Sequence, residues 1–198
     1  MAGPHEQMEH AEHAEHASHG GNKKIALLIS VLALFLAFSE TLGKSAQTES
    51  ISLNIKASDT WNFFQAKTIR QTTFRIAADG LALQASNITD EATKAALAKQ
   101  IEAWRKTAAR YESDPQEKDG RKELRALAEK YEHERDLQLA RYHHYEVASA
   151  AYQIGIVLAS AEVITGMALL GWLSGLLGIA GLAFTAIGFW APHAVHLF

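Results

Sequence analysis

Glu162 is the only acidic or basic side chain in two apolar runs, residues 147–170 and 172–190, that a single glycine separates. A charge in the middle of such a run costs about 2.5–3.5 kcal/mol on insertion scales, so a carboxylate kept there calls for a reason. One reason is chemical: an acid facing a bundle interior or a pore can bind a cation or relay a proton. The other is a protonated acid hydrogen-bonded to Ser160, Thr165 or a neighbouring subunit. Glu40 is too shallow to be its partner. Counted from one membrane face, the two differ in depth by about 16 Å at the helical rise.

Histidines are the next group with chemistry to offer. His10, His13, His16 and His19 step by three through a Glu-His-Ala repeat, each with a glutamate four residues before it. Imidazoles at that spacing can share zinc, nickel or copper. Nothing in the tail holds their rings in orientation, so any such metal is expected to be adventitious. His133, His143, His144 and Glu146 lack the Glu-x-x-His order of ferritin-like sites, and adjacent histidines on a helix point apart. Lys67, Arg70 and Arg75 stand among Trp61, Phe64 and Phe74. They could take an anion or a lipid headgroup, but salt bridges within a helical stalk account for them as well. There is no nucleophile elbow, phosphate loop, zinc motif or carboxylate pair. We therefore expect no catalytic residue, no resident cofactor and no enzyme.

The elements that must position these residues follow from hydropathy. The two C-terminal runs each approach the ~20 residues needed to cross a bilayer's hydrocarbon core, and together they read as a membrane hairpin. Residues 25–42, behind Lys23 and Lys24, form a third run of similar length. A small-residue cleavage site is missing there, so the run reads as an uncleaved anchor. Gly171, Gly175, Gly178 and Gly181 step by four, three and three, a spacing that lets membrane helices approach closely. We read them as helix-packing positions.

Between the first and second runs the chain is water-soluble in character. Of the 19 Lys and Arg residues, 17 lie between Lys44 and Arg141, among a nearly equal number of Asp and Glu. That balance suits a solvated helical surface and speaks against nucleic acid, which needs a one-sided basic stripe. The chain has no cysteine, which removes disulfides and thiolate metal sites.

From Ser45 to about Gln84 apolar residues recur at spacings of three and four with no proline, so helix is expected over strand. Trp61, Phe63 and Phe64 cover more than one face, and such a helix needs more than one neighbour. After a break at Ser86-Asn87-Ile88-Thr89, with Thr89 as a candidate cap, Leu97, Ile101, Trp104, Ala108 and Tyr111 step 4, 3, 4, 3 as a heptad seam. Ser113-Asp114-Pro115 ends that helix, and Asp119-Gly120 closes the turn. The last helix starts near Arg121 and continues into the second span, with Tyr142, Tyr145 and Tyr152 as an expected interfacial belt.

The expected fold is an all-α membrane protein with three transmembrane helices, one N-terminal and a C-terminal hairpin. An antiparallel helical or coiled-coil stalk stands between the first and second, running two strokes out and one long stroke back. In residue terms this is a disordered tail at 1–22, spans at 23–43, 147–170 and 172–191, and a stalk at 44–146.

The chain resembles, over nearly its full length, a bacterial family of membrane proteins known as a domain of unknown function (number four-three-three-seven). The resemblance is carried by Glu40-Thr41-Leu42-Gly43-Lys44-Ser45-Ala46-Gln47-Thr48 and by Ala57-Ser58-Asp59-Thr60-Trp61-Asn62-Phe63-Phe64-Gln65-Ala66-Lys67-Thr68-Ile69-Arg70-Gln71. Arg121-Lys122-Glu123-Leu124 and Ile156-Val157-Leu158-Ala159-Ser160 complete it. It implies architecture and transfers no catalytic residue.

Lys23 and Lys24 in a short tail favour a cytoplasmic N-terminus and a periplasmic stalk, against the pull of Lys44, Lys56, Arg135 and Arg141 on the stalk side. The function read from all this is a homo-oligomeric scaffold or interaction protein of the bacterial inner membrane, with lipid and further copies of itself as partners. Trp61, Phe63, Phe64, Lys67, Arg70, Leu97, Ile101, Trp104 and Tyr111 are its expected self-association or docking residues, for its own copies or for another protein. The alternative is a small ion channel or transport accessory with Glu162 lining a central path.

Overall fold

A computed structural model of the chain describes residues 23–195. Among them are four helices, α1 (Lys23–Ala85), α2 (Glu91–Glu112), α3 (Arg121–Thr165) and α4 (Ala168–Trp190), and no strand. Helices α1, α3 and α4 are each long and apolar enough to cross a membrane. The chain divides into two units, the first drawn from Met1–Ser50 and Asp136–Phe198 and the second from Ile51–Arg135.

Both units are built on one regularity of α1. One series of its buried or half-buried positions, which includes every fully buried one, alternates in steps of four and three without a slip. In the first unit they are Ile25, Ile29, Leu32, Leu36, Ser39, Gly43, Ala46 and Ser50. The second unit continues with Leu53, Ala57, Thr60, Phe64, Lys67, Gln71, Phe74 and Ala78. Steps of four and three average 3.5 residues, close to a helical turn, so one face of the helix stays turned to its neighbours.

In the first unit that face packs on α3. Ile25, Ile29, Leu32 and Leu36 meet Ala148, Tyr152, Ile156 and Ala159, with Phe184 of α4 partly buried against them. Farther along, the Ser39 hydroxyl donates to the Tyr145 carbonyl at 3.0 Å, and the Glu40 carboxylate accepts from Gln153 at 3.3 Å. Glu40 and Glu162 therefore have separate surroundings, as expected. Tyr145 and Tyr152 do not form the rim of an aromatic belt. They are 4% and 0% exposed, because small residues opposite them leave room for whole rings.

The hairpin turn lies at Gly166–Met167, five residues earlier than the expected break at Gly171. Gly166 has φ +71°, a left-handed conformation that glycine alone adopts without steric cost, and its N–H closes on the Glu162 carbonyl at 2.8 Å. Gly171 stays helical inside α4.

In the second unit α2 and then α3 both run antiparallel to α1. Arg105 of α2 pairs with Asp79 at 3.2 Å and Gln71 donates to the Ala108 carbonyl at 3.2 Å. Past the turn, Arg121 donates to Thr68 at 2.9 Å, Trp61 to Glu132 at 2.9 Å, and Arg135 to Asn54 at 3.3 Å. The stalk is thus one stroke out and two strokes back, the reverse of the expected count. A short connection, with Asp90 and not Thr89 as the cap, folds α2 straight back along α1. The Asp90 carboxylate accepts the Thr93 N–H at 2.9 Å.

Candidate functional site

The richest polar arrangement among the described residues lies in the second unit, where α1, the end of α2, the loop after it and the start of α3 converge. Lys67 occupies a seam position of α1 and is only 7% exposed. Burying an ammonium is costly unless it is paired. It donates to Asp119 at 2.6 Å, with the Phe63 ring 5.3 Å away and the Tyr111 ring 5.1 Å away. One turn on, Gln71 donates to Glu112 at 2.6 Å and accepts from Arg121 at 2.6 Å. Arg121 also donates to Glu112 at 2.8 Å and lies over the Phe64 ring at 5.0 Å. Arg75 reaches the same Glu112 carboxylate at 3.8 Å.

The connection from α2 to α3 is fastened in the same way. The Ser113 hydroxyl donates to Glu123 at 2.5 Å, and the Asp114 N–H donates to its other oxygen at 3.2 Å. A side chain at Gly120 would meet the Asp114 backbone nitrogen at 2.5 Å, so the loop closes only around glycine. These contacts set the electrostatics. The Gln71 amide, followed by Arg121 and Arg75, holds the Glu112 carboxyl below the usual range. The Ser113 hydroxyl does the same for Glu123. The cluster's cations and anions answer one another inside the chain, so its chemistry is that of a clasp.

The expected docking residues are largely spent on this packing. Trp61 stands edge-on to Phe64 at 5.4 Å and donates to Glu132; Phe63 remains 44% exposed beneath Lys67. Leu97, Ile101, Trp104 and Tyr111 are half-buried positions of α2 in line with fully buried Ala108, and Tyr111 packs on Phe74 at 5.9 Å. Tyr111 and Ala108 thus meet α1 of their own chain. Arg70 is exposed.

In the first unit Glu162 sits in the last turn of its helix, because α3 ends at Thr165. With Lys24, Ala168, Gly171 and Trp172 it lines an open groove of about 360 Å³. Thr165 is exposed and donates to the Ala161 carbonyl at 2.8 Å, not to Glu162. Three of the four expected packing glycines receive a neighbour: Gly171 the Glu162 carboxylate, Gly178 Leu32 and Gly181 Tyr152. Gly175 meets nothing, whereas Gly188 meets His144 and Tyr145. His144 is 1% exposed and its Nε2 donates to the Pro192 carbonyl at 3.0 Å. Among the described residues no group of three or more His, Asp or Glu could hold a metal ion. His10, His13, His16 and His19 lie outside the described residues.

Sequence reasoning passed over Gln71, Glu112, Asp119, Arg121 and Glu123 as a group. The signal was present in two of the four segments that carry the family resemblance, 57–71 and 121–124, which the fold brings together in this clasp.

The fold and the clasp define an all-helical protein with three helices of membrane-crossing length and composition and a polar, self-fastened unit between the first two. The model of one family, Domain of unknown function (DUF4337), matches residues 21–191, and the chain belongs to that family. No curated protein and no solved structure matches it.

Proposed function

We propose that the chain is a membrane-anchored homo-oligomeric scaffold of the bacterial inner membrane, held by three spans and presenting its second unit as a rigid stand. Apolar exposure supports the anchoring. In the most apolar windows of α1, α3 and α4 only 28%, 28% and 17% of residues are buried inside the chain. Leu27, Leu34, Phe38, Val157, Trp172 and Ile179 stay outside. In water that much apolar surface would drive aggregation; in lipid it is the ordinary exterior of a span.

The observation that carries the scaffold reading is the saturation of the clasp. Lys67, Gln71, Glu112, Asp119 and Arg121 are engaged with one another, an arrangement that fixes shape. The end-of-helix position of Glu162 beside Lys24 favours this over the channel reading, since a carboxylate there can reach water and need not line a path. Lys23 and Lys24 mark the end of α1 near the uncharged hairpin turn, in keeping with a cytoplasmic N-terminus and a periplasmic stand. The test is the mass of the full chain in mild detergent by sedimentation or light scattering. More than one chain per particle is expected, and a single chain at every concentration would overturn the reading.

A further inference from the structure

On the outside of the second unit, α1 carries a second stripe that no other described residue covers. Ile55, Ile69, Ile76 and Leu83 are 56%, 68%, 67% and 73% exposed, and with Asn62 they recur every seven residues. They lie two residues out of phase with the buried seam, which at 100° per residue puts them on the opposite face of the helix. Single exposed leucines need no explanation, but a run in strict heptad phase over four heptads is the pattern by which helices pair.

We propose that this stripe pairs in parallel and in register with the same stripe of a second copy, so that Asn62 meets Asn62. The inference rests on the scaffold reading above and names its interface. Three observations select a second copy as the occupant. First, a symmetric parallel pair sets every residue against itself, which tolerates apolar and neutral side chains and penalises charge. The stripe is uncharged, and so are its close neighbours Ser58, Gln65, Thr72 and Thr73. Asp79 beside it is already answered by Arg105 at 3.2 Å; Asp59 lies at its edge. Second, copies inserted the same way in one bilayer emerge with α1 pointing the same way, so parallel pairing is the one the membrane presents. Third, an asparagine amide carries both donor and acceptor and can pair with its own copy. A lone asparagine in an apolar heptad stripe fixes register and favours two strands. The polar flanks make the contact weak alone, and confinement in the membrane raises the effective concentration that holds it.

The native chain has no cysteine, so single cysteines report cleanly. In the full chain reconstituted in liposomes, Asn62→Cys, Ile69→Cys and Ile76→Cys should each give mostly disulfide-linked dimer on mild oxidation. Arg70→Cys and Lys56→Cys, off the stripe, should give at least tenfold less. Three levels cross-linking like to like requires parallel register; cross-linking at one level alone would mean antiparallel pairing and overturn the proposal. The double variant Ile69→Glu, Ile76→Glu removes only exposed side chains and should cut the dimer at Asn62→Cys at least tenfold; an unchanged yield would also overturn it. If no level cross-links while the detergent mass still exceeds one chain, this surface falls and the scaffold stands. A single-chain mass removes both. Cross-links from these positions only to a different protein in native membranes would likewise overturn self-pairing.

Discussion

The Tyr152 ring occupies the space that a side chain at Gly181 would need: a Cβ placed there would stand 2.5 Å from Cε1. The ring is held on its other side by Phe35, 6.0 Å away and nearly parallel, and its hydroxyl lies 3.2 Å from Thr185. It cannot step aside. Gly181→Val should therefore pry α4 off α3 and lower the midpoint of thermal aggregation in detergent. Gly175→Ala, into open space, should leave it unchanged. Equal effects at the two positions would show that α4 does not pack as described.

Lys67 and Asp119 are unequal partners, with side chains 8% and 40% exposed. Removing the cation strands an anion that water can still reach, so the penalty is below that of a fully buried pair. We expect Lys67→Ala to destabilise the second unit by about 2 kcal/mol in denaturant titrations followed by helical ellipticity. The double variant Lys67→Met, Asp119→Asn should stay within about 1 kcal/mol of the native chain. A neutral Lys67→Ala would show that the clasp contributes no stability.

Glu112 and Glu123 both titrate below their ordinary value of 4.5. A depressed acid stabilises the fold fully above the unfolded-chain value and loses that contribution as pH falls through the lower folded value. The α2–α3 connection should thus be indifferent to pH near neutrality and loosen on acidification below about pH 5. Amide exchange at residues 113–120 between pH 7 and pH 3, corrected for intrinsic rates, measures this. Glu112→Gln should flatten the response; an identical acid profile would assign it to other groups.

Much of the architecture was legible from the sequence. The three apolar runs, the long helices and the continuity of α3 into its apolar stretch all follow from hydropathy and the absence of breakers. The α1 seam was not legible, because Ser39, Gly43, Ala46, Ser50, Thr60, Lys67 and Gln71 belong to it through their position and not their apolarity. Where seam residues are small or paired polar groups, a search for hydrophobic periodicity finds the wrong face: Ile55, Ile69 and Ile76 look like core and stand in the open. The clasp was hidden for a related reason, since Lys67, Glu112 and Arg121 read as surface charges until the fold brings them together. The turn at Gly166 was obscured by five further glycines in the next helix, only one of the six having positive φ.

Because only Gly166 and Met167 part α3 from α4, contacts between these helices close outward from the turn, and each shortens the next search. The bond from Ser39 to Tyr145 spans 106 residues of chain. During synthesis α1 must therefore wait, with its seam of small and polar groups unfilled, until α3 arrives.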